Sequence, residues 1–415
     1  MYDNLDHLSE YELNELIEQY YNSTSEKEVK KIIDDYELNI KPQNLWRYFH
    51  PEIIEDEFWE FWGTNLKVVR FNRKVRKTLD LEYLRSEYYC PICGHQPHNK
   101  YKECTCPNCI VIKEKNIELK KEKIKATYDV DYLPIKINEL ELRDRVSLGA
   151  LCFSLLEEDM YHLGMIHDYN GKITPTKELL TVILKTLANA NIIRVSALSD
   201  INAFVQGEKF PNEYYIYLVK YYLGIEFDEN KRITYQKLIE PEINIIQNID
   251  QIILLWENIA IQECIEYLLY KLDAIDFQFS PGAKTLEIFS NLVFDFSVSQ
   301  IFGIIKRATE QTLTYYYENR DRISKKHAAN IVINNCQKYA ERAKINNWNL
   351  YQYNRPKELL QSDLSFFFFY KVLKIGDKGF RMSIKEYLLN YAPVENNNQN
   401  NELANNNLEN QNILN

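Results

Sequence analysis

Cysteines between positions 90 and 109 have the type and spacing of metal ligands. Two Cys-x-x-Cys pairs, Cys90/Cys93 and Cys106/Cys109, stand 12 residues apart. Each pair supplies two thiolates from one tight turn, and Zn²⁺ binds four such ligands tetrahedrally. Four thiolates leave no coordination position for a substrate. The spacing therefore predicts a structural zinc site with these four cysteines as ligands.

Other ligands and other chemistries stay open for the same segment. Cys104 is a fifth cysteine beside the second pair, and His95 follows the first, so either can replace one of the four. A rubredoxin-like iron site, disulfides and a redox-active Cys-x-x-Cys are the alternatives to zinc. The segment resembles the zinc ribbons of many nucleic-acid-handling and assembly proteins, which implies a partner of either kind.

Charge is distributed unevenly around the cysteines. The chain has a formal net charge of −10, and residues 1–60 hold 16 acidic and 5 basic residues, whereas residues 64–126 hold 15 basic and 7 acidic ones. Basic residues alternate with Val and Phe over 66–77, which predicts a hairpin arm or edge strand with a cationic face. Its predicted phosphate contacts are Arg73, Lys74, Arg76 and Lys77.

The N-terminal 51 residues carry the signals of three short helices. Ser9 with Glu12, and Ser25 with Glu28, fit the capping box, and Pro42 suits the first position of a third helix. Together with the pattern Leu45-Trp46-Arg47-Tyr48-Phe49, the unit resembles the helix-turn-helix of resolvases and transposases. The resemblance implies that four side chains of the third helix enter a major groove: Lys41, Gln43, Asn44 and Arg47.

Composition predicts the fold class. The 415 residues are 45% hydrophobic and 13% aromatic with only 11 Gly and 12 Pro, which favours long helices. We expect a mainly α, multi-domain protein. Its predicted parts are a trihelical unit (1–51), a basic segment with a small β zinc ribbon (52–112), a linker helix (113–138), a domain resembling a winged helix (139–245), a helical C-terminal domain (246–392) and a disordered Asn-rich tail (393–415).

Single residues in the C-terminal half add three expectations. Cys152, Cys264 and Cys336 stand alone in helical patterns, which indicates buried thiols in a reducing compartment. The run Phe366–Tyr370 predicts deep core. No apolar stretch long enough for a membrane helix and no basic leader are present, so we expect a cytoplasmic protein without membrane contact.

The function predicted from the sequence is binding rather than catalysis. A glycine-rich phosphate loop, a Gly-x-Ser-x-Gly elbow and a His-Glu-x-x-His helix are all missing from the sequence. We expect a zinc-containing nucleic-acid-binding protein, acting on DNA as a regulator or targeting component, with C-terminal helices for self-association or a protein partner. A zinc-stabilised adaptor without nucleic-acid contact is the alternative, and an enzyme with its site in the C-terminal half is a third.

Overall fold

The fold is mainly helical. The computed structural model describes residues 5, 7–50, 52–55, 66–69, 72–74 and 106–391, in which helix predominates over strand. By their internal contacts, residues 1–126 and 127–415 form two compact units. This division tests none of the predicted domain boundaries within either unit, and these stay predictions.

Three helices form the start of the first unit, as the sequence predicts. They are α1 (Glu10–Asn22), α2 (Glu26–Asp35) and a 3₁₀ helix over Pro42–Tyr48, which we call the third helix. They bury a common apolar core that consists of Leu5, Leu16, Tyr20, Val29, Ile32, Ile33, Leu38, Leu45, Trp46 and Phe49. The third helix is wound more tightly than the α-helix of a helix-turn-helix, because a 3₁₀ helix has about 3.0 residues per turn; it has seven residues and no side-chain cap.

The two predicted capping boxes have different outcomes. At α1 the box is complete, because Ser9 accepts from the Glu12 N–H and the Glu12 carboxylate accepts from the Ser9 N–H at 2.8 Å. At α2 the Ser25 hydroxyl accepts from the Glu28 N–H, but the Glu28 carboxylate accepts from the backbone and hydroxyl of Thr24 instead. The reciprocal bond therefore reaches one residue further back than the sequence predicts.

A short antiparallel pair and a long helix complete the described part of the first unit. Strands β1 (Glu52–Glu55) and β2 (Leu66–Val69) pair with Glu52 opposite Val69, so the strand predicted in the basic segment is confirmed over four residues. Helix α3 spans Pro107–Tyr128 and begins before residue 113, where the linker helix was expected.

The second unit begins with helices packed beside a small sheet. Helices α4 (Leu142–Leu155) and α5 (Lys177–Asn189) are followed by α6 (Lys231–Ile239). The strands β3 (His162–Leu163), β4 (Ile193–Val195) and β5 (Tyr221–Leu223) are antiparallel in the order β3-β5-β4. Helix α5 is capped by Thr176, whose hydroxyl accepts a hydrogen bond from the Leu179 N–H.

In the rest of the described chain, the regular secondary structure is helical. The long ones are α7 (Ile249–Asp273), α8 (Ala283–Asp295), α9 (Val298–Glu318) and α10 (Lys325–Ile345). Shorter ones follow: α11 (Asp363–Phe366), which continues as a π-helix over Phe367–Val372, then α12 (Lys378–Arg381) and α13 (Ile384–Tyr391).

The core of the second unit surrounds α7. This helix buries residues around its circumference, among them Ile252, Trp256, Cys264 and Leu268. The same cluster of buried residues includes Leu142 and other side chains of α4 and α5. Helices α4 and α5 and the helical C-terminal half therefore share one buried cluster within this unit.

The predicted aromatic core is correct in its centre and wrong at its end. Phe367, Phe368 and Phe369 are fully or almost fully buried, whereas Tyr370 is 39% exposed. The π-helix widens the turn there, and Tyr370 stacks on Phe366 at 4.6 Å. In the described ranges, no helix combines the length and the apolar character that a membrane crossing requires. The predicted tail at 393–415 lies outside the described residues.

Candidate nucleic-acid and metal sites

The third helix carries the side chains that were predicted to read nucleic acid. Leu45, Trp46 and Phe49 fix it to the core of the first unit, and the indole N–H of Trp46 donates to the Gln43 carbonyl at 2.9 Å. Pro42 at its first position presets the backbone angle. The backbone of the helix is thus held by buried apolar contacts, and its polar residues are left to face outward.

Three of the four predicted readers are exposed on that helix. Lys41, Gln43 and Arg47 are exposed, while Asn44 is half-buried. The Arg47 guanidinium lies 5.3 Å from the centre of the Trp46 ring, a cation–π contact that orients it. Neither Lys41 nor Arg47 forms an ion pair within the described ranges. Both cations are therefore available to a phosphate, and the amide of Gln43 to a base edge.

Acidic side chains of α1 oppose phosphate binding elsewhere on this unit. Glu10, Glu12, Glu15 and Glu18 are all exposed. Hydrogen bonds from the side chain and backbone of Ser9 lower the pKa of Glu12, so this carboxylate is charged at neutral pH. A polyanion can approach the unit favourably only where cations outnumber these carboxylates.

The basic segment contributes one residue with a defined internal partner. Arg73 donates from its guanidinium to the Ser23 hydroxyl at 3.1 Å and to the Ser25 carbonyl at 2.7 Å. These bonds join the segment to the corner between α1 and α2, where Ser25 caps α2. Arg73 therefore positions the segment, and Lys74 beside it is exposed. Arg76 and Lys77 lie outside the described residues.

Half of the predicted metal site is described. Cys106 directly precedes α3 and Cys109 lies in its first turn; both are partly exposed. Residues three apart lie on one face of a helix, so the two thiols suit two positions of a tetrahedral site. Cys90 and Cys93, with the substitutes Cys104 and His95, lie outside the described residues. Within the described ranges, no three potential ligands meet.

Sequence reasoning missed a surface of aromatic and cationic side chains in the second unit. It involves Arg307 in α9, Tyr339 in α10 and Trp348 beyond it. A net positive charge over 306–344 was the available signal, since this range holds 9 basic and 4 acidic residues. The rings are far apart in sequence, however, and only the fold brings them beside the cations.

Comparison of the chain with protein-family models, with curated proteins and with solved structures finds no match.

Proposed function

We propose that the protein binds nucleic acid, most directly DNA, through the third helix and the basic segment that follows it, as a regulator or targeting component rather than a catalyst. One observation carries the proposal: Gln43 and Arg47 on the third helix and Lys41 at its start are exposed, while Leu45 and Trp46 of the helix and Phe49 at its end are buried. Side chains on a fixed backbone lose less conformational freedom on binding than side chains on a mobile loop.

The arrangement of charge supports the same function. The region 64–126 holds 15 basic and 7 acidic residues, and Arg73 ties its start to the trihelical unit through Ser23 and Ser25. Cations in that region would add to the attraction that Lys41 and Arg47 exert on phosphates. Phosphate contacts supply affinity, and Gln43 is suited to contact a base.

Zinc is the cofactor in this proposal. Cys106 and Cys109 would provide two thiolates from the start of α3, and Cys90 and Cys93 the other two. A metal held by four thiolates has no open position, so it would stabilise the basic segment without taking part in a reaction.

The dependence of DNA affinity on salt tests the proposal. For a labelled duplex, the logarithm of the association constant should fall linearly with the logarithm of the salt concentration. Each phosphate contact contributes about 0.9 to the slope. Changing Lys41 and Arg47 together to Ala should therefore weaken binding at low salt and reduce the slope by about 2.

A matched variant separates this site from general charge effects. Lys30 and Lys31 on α2 are also exposed cations of the first unit. Their double Ala variant removes the same charge and should keep the slope of the unmodified protein. Equal effects of the two double variants would contradict a specific site on the third helix. Absence of duplex binding at low salt would favour the adaptor function instead.

A further inference from the structure

Aromatic rings and cations alternate where α9 and α10 of the second unit are followed by the segment 347–353. Arg307 lies over the Tyr339 ring at 4.7 Å, and the Tyr339 ring lies 5.5 Å from that of Trp348. Next to Arg307 on α9, Lys306 lies 5.2 Å from the ring of Tyr353. The Tyr353 ring in turn meets that of Tyr351 at 5.0 Å. We call these six residues the ring surface.

The end of α10 fixes one part of the ring surface. Asn347 adopts a left-handed conformation with a φ of 50°, and the Trp348 N–H donates to the Ala343 carbonyl at 2.9 Å. This reversal is a common way to end a helix, and it turns the chain back over the last turns of α10. Trp348 thereby reaches Tyr339, although nine residues separate them.

Contacts with α9 fix the other part. The Tyr353 N–H donates to the Ser299 carbonyl at 3.1 Å, and the Ser299 hydroxyl donates to the Tyr353 carbonyl at 2.7 Å. The Tyr353 ring covers Gly303, where a Cβ atom would lie 2.8 Å from the ring. The segment is therefore clamped to α9, and the rings at 351 and 353 have defined positions.

Two of the rings are directed to solvent despite this fixation. Tyr351 is 73% exposed and Trp348 is 44% exposed. Neither the Tyr351 hydroxyl nor the Trp348 indole N–H has a hydrogen-bond partner within the described ranges. Rings held in place by their neighbours, with an open face, can stack on a planar ligand at little entropic cost.

The charge around the rings is positive. Residues 306–310 of α9 and 338–344 of α10, the parts of these helices that carry the ring contacts, hold 5 basic and 2 acidic residues. Within the described ranges, two of these cations form ion pairs with carboxylates: Lys306 with Glu310 and Lys344 with Asp295. Arg307 contacts the Tyr339 ring, and Arg342 follows Tyr339 by three residues, on the same side of α10. The surface therefore attracts a polyanion that carries planar groups.

We propose that the ring surface binds single-stranded nucleic acid. Bases stack on Trp348 and Tyr351, and backbone phosphates contact Arg307 and Arg342. Stacking on aromatic rings needs bases that are not already stacked in a duplex, so single strands are the ligand that this chemistry favours. The proposal goes beyond the duplex binding assigned to the third helix, because it concerns the second unit and uses none of the same residues.

Binding of short labelled oligomers to the full chain tests this proposal. Oligothymidylate and oligouridylate of about 12 nucleotides cover the DNA and RNA forms of the ligand, since single-strand sites span about 4 to 16 nucleotides. The double variant Trp348→Ala and Tyr351→Ala should bind both at least about 10-fold more weakly, because each stacked base contributes about 5-fold or more in affinity and the variant removes two stacking rings. The variant Trp348→Phe and Tyr351→Phe keeps the rings and should retain most of the affinity.

Controls separate stacking from a loss of structure and from the function proposed above. Tyr11 and Tyr215 are exposed rings outside the ring surface, and their double Ala variant should bind single strands normally. Duplex affinity should follow Lys41 and Arg47 and not Trp348 and Tyr351, so failure of either proposal is seen separately. Unchanged single-strand affinity in the Trp348→Ala and Tyr351→Ala variant, or an equal loss in the Phe variant, would overturn the proposal.

Discussion

At the scale of single residues, a buried ion pair shows how the second unit depends on matched charges. The Glu263 carboxylate is almost fully buried on α7, and the Arg355 guanidinium donates to it at 2.8 Å. Arg355 also lies 4.6 Å from the ring of Phe380, so its planar face is covered as well. Burial removes the water that would otherwise solvate the Glu263 carboxylate, and the Arg355 guanidinium compensates for this loss. Removal of the guanidinium therefore leaves a buried charge without compensation.

We therefore predict that Arg355→Met destabilises the protein strongly. The free energy of unfolding should fall by about 3–5 kcal/mol, the usual cost of removing one partner of a buried pair. Chemical denaturation measures the change. Adding Glu263→Gln to that variant should restore part of the loss, because the uncompensated charge is then gone.

An exposed pair provides the control for this prediction. Lys209 and Glu213 lie 2.6 Å apart on the surface. Lys209→Met should leave the free energy of unfolding almost unchanged, since water solvates the remaining carboxylate. Similar losses in both variants would contradict the importance of burial.

Lone cysteines show what can be predicted from residue type alone. Cys152, Cys264 and Cys336 were expected to be buried thiols, and all three are fully buried without disulfides. Burial raises the pKa of the Cys152 and Cys336 thiols to about 12, so they stay neutral in the folded protein. The Glu263–Arg355 pair was not predictable in this way, because its partners are 92 residues apart and nothing local marks either one.

At the scale of single elements, the start of α3 determines what the second cysteine pair can bind. Cys106 directly precedes a 22-residue helix and Cys109 lies in its first turn, so helical geometry fixes the spacing of the two cysteines. A metal site closed by Cys90 and Cys93 would thus rest on one rigid element.

We predict one zinc ion for each chain of purified protein. Cys93→Ser and Cys109→Ser should each reduce the zinc content sharply, since loss of one thiolate removes much of the binding free energy. Elemental analysis by mass spectrometry measures zinc and iron together. The matched control is Cys152→Ser, in which a buried cysteine outside the pairs is changed and zinc content should stay near one.

The same elemental analysis distinguishes the zinc site from the alternative interpretations of the cysteine pairs. Iron in place of zinc would indicate the rubredoxin-like site. A chain with neither metal would rule out both sites and leave the disulfide and redox interpretations of the cysteine pairs.

Elements with strong local signals were predictable, and those that depend on distant pairing were not. The Ser9 cap, the Ser25 cap and the proline of the third helix place the starts of these three helices to within a few residues. Strands β3 and β5 have no such local signal, because they gain stability only from each other and from β4. The ring surface escaped prediction for the same reason, since a helix end and a clamped segment bring its rings together.

At the scale of the whole molecule, two separate cores are expected to unfold separately. The buried cluster around the three N-terminal helices uses residues 5–49, and that of the second unit uses residues 142–387. The two clusters share no residue, and contacts within each compact unit hold it together. Residues that share one packed core unfold together, so each cluster should have its own unfolding transition.

We predict that core substitutions affect one transition at a time. Leu16 in α1 and Ile305 in α9 are both fully buried. Leu16→Ala should lower the free energy of unfolding of the first core, and Ile305→Ala that of the second. Each loss should be about 2–5 kcal/mol, because the substitution leaves a cavity. Scanning calorimetry resolves the two transitions. Leu133→Ala, at a side chain that is 93% exposed, should leave both unchanged. If Leu16→Ala and Ile305→Ala instead shift one shared transition equally, the two cores are coupled, and a ligand bound to either unit would stabilise both.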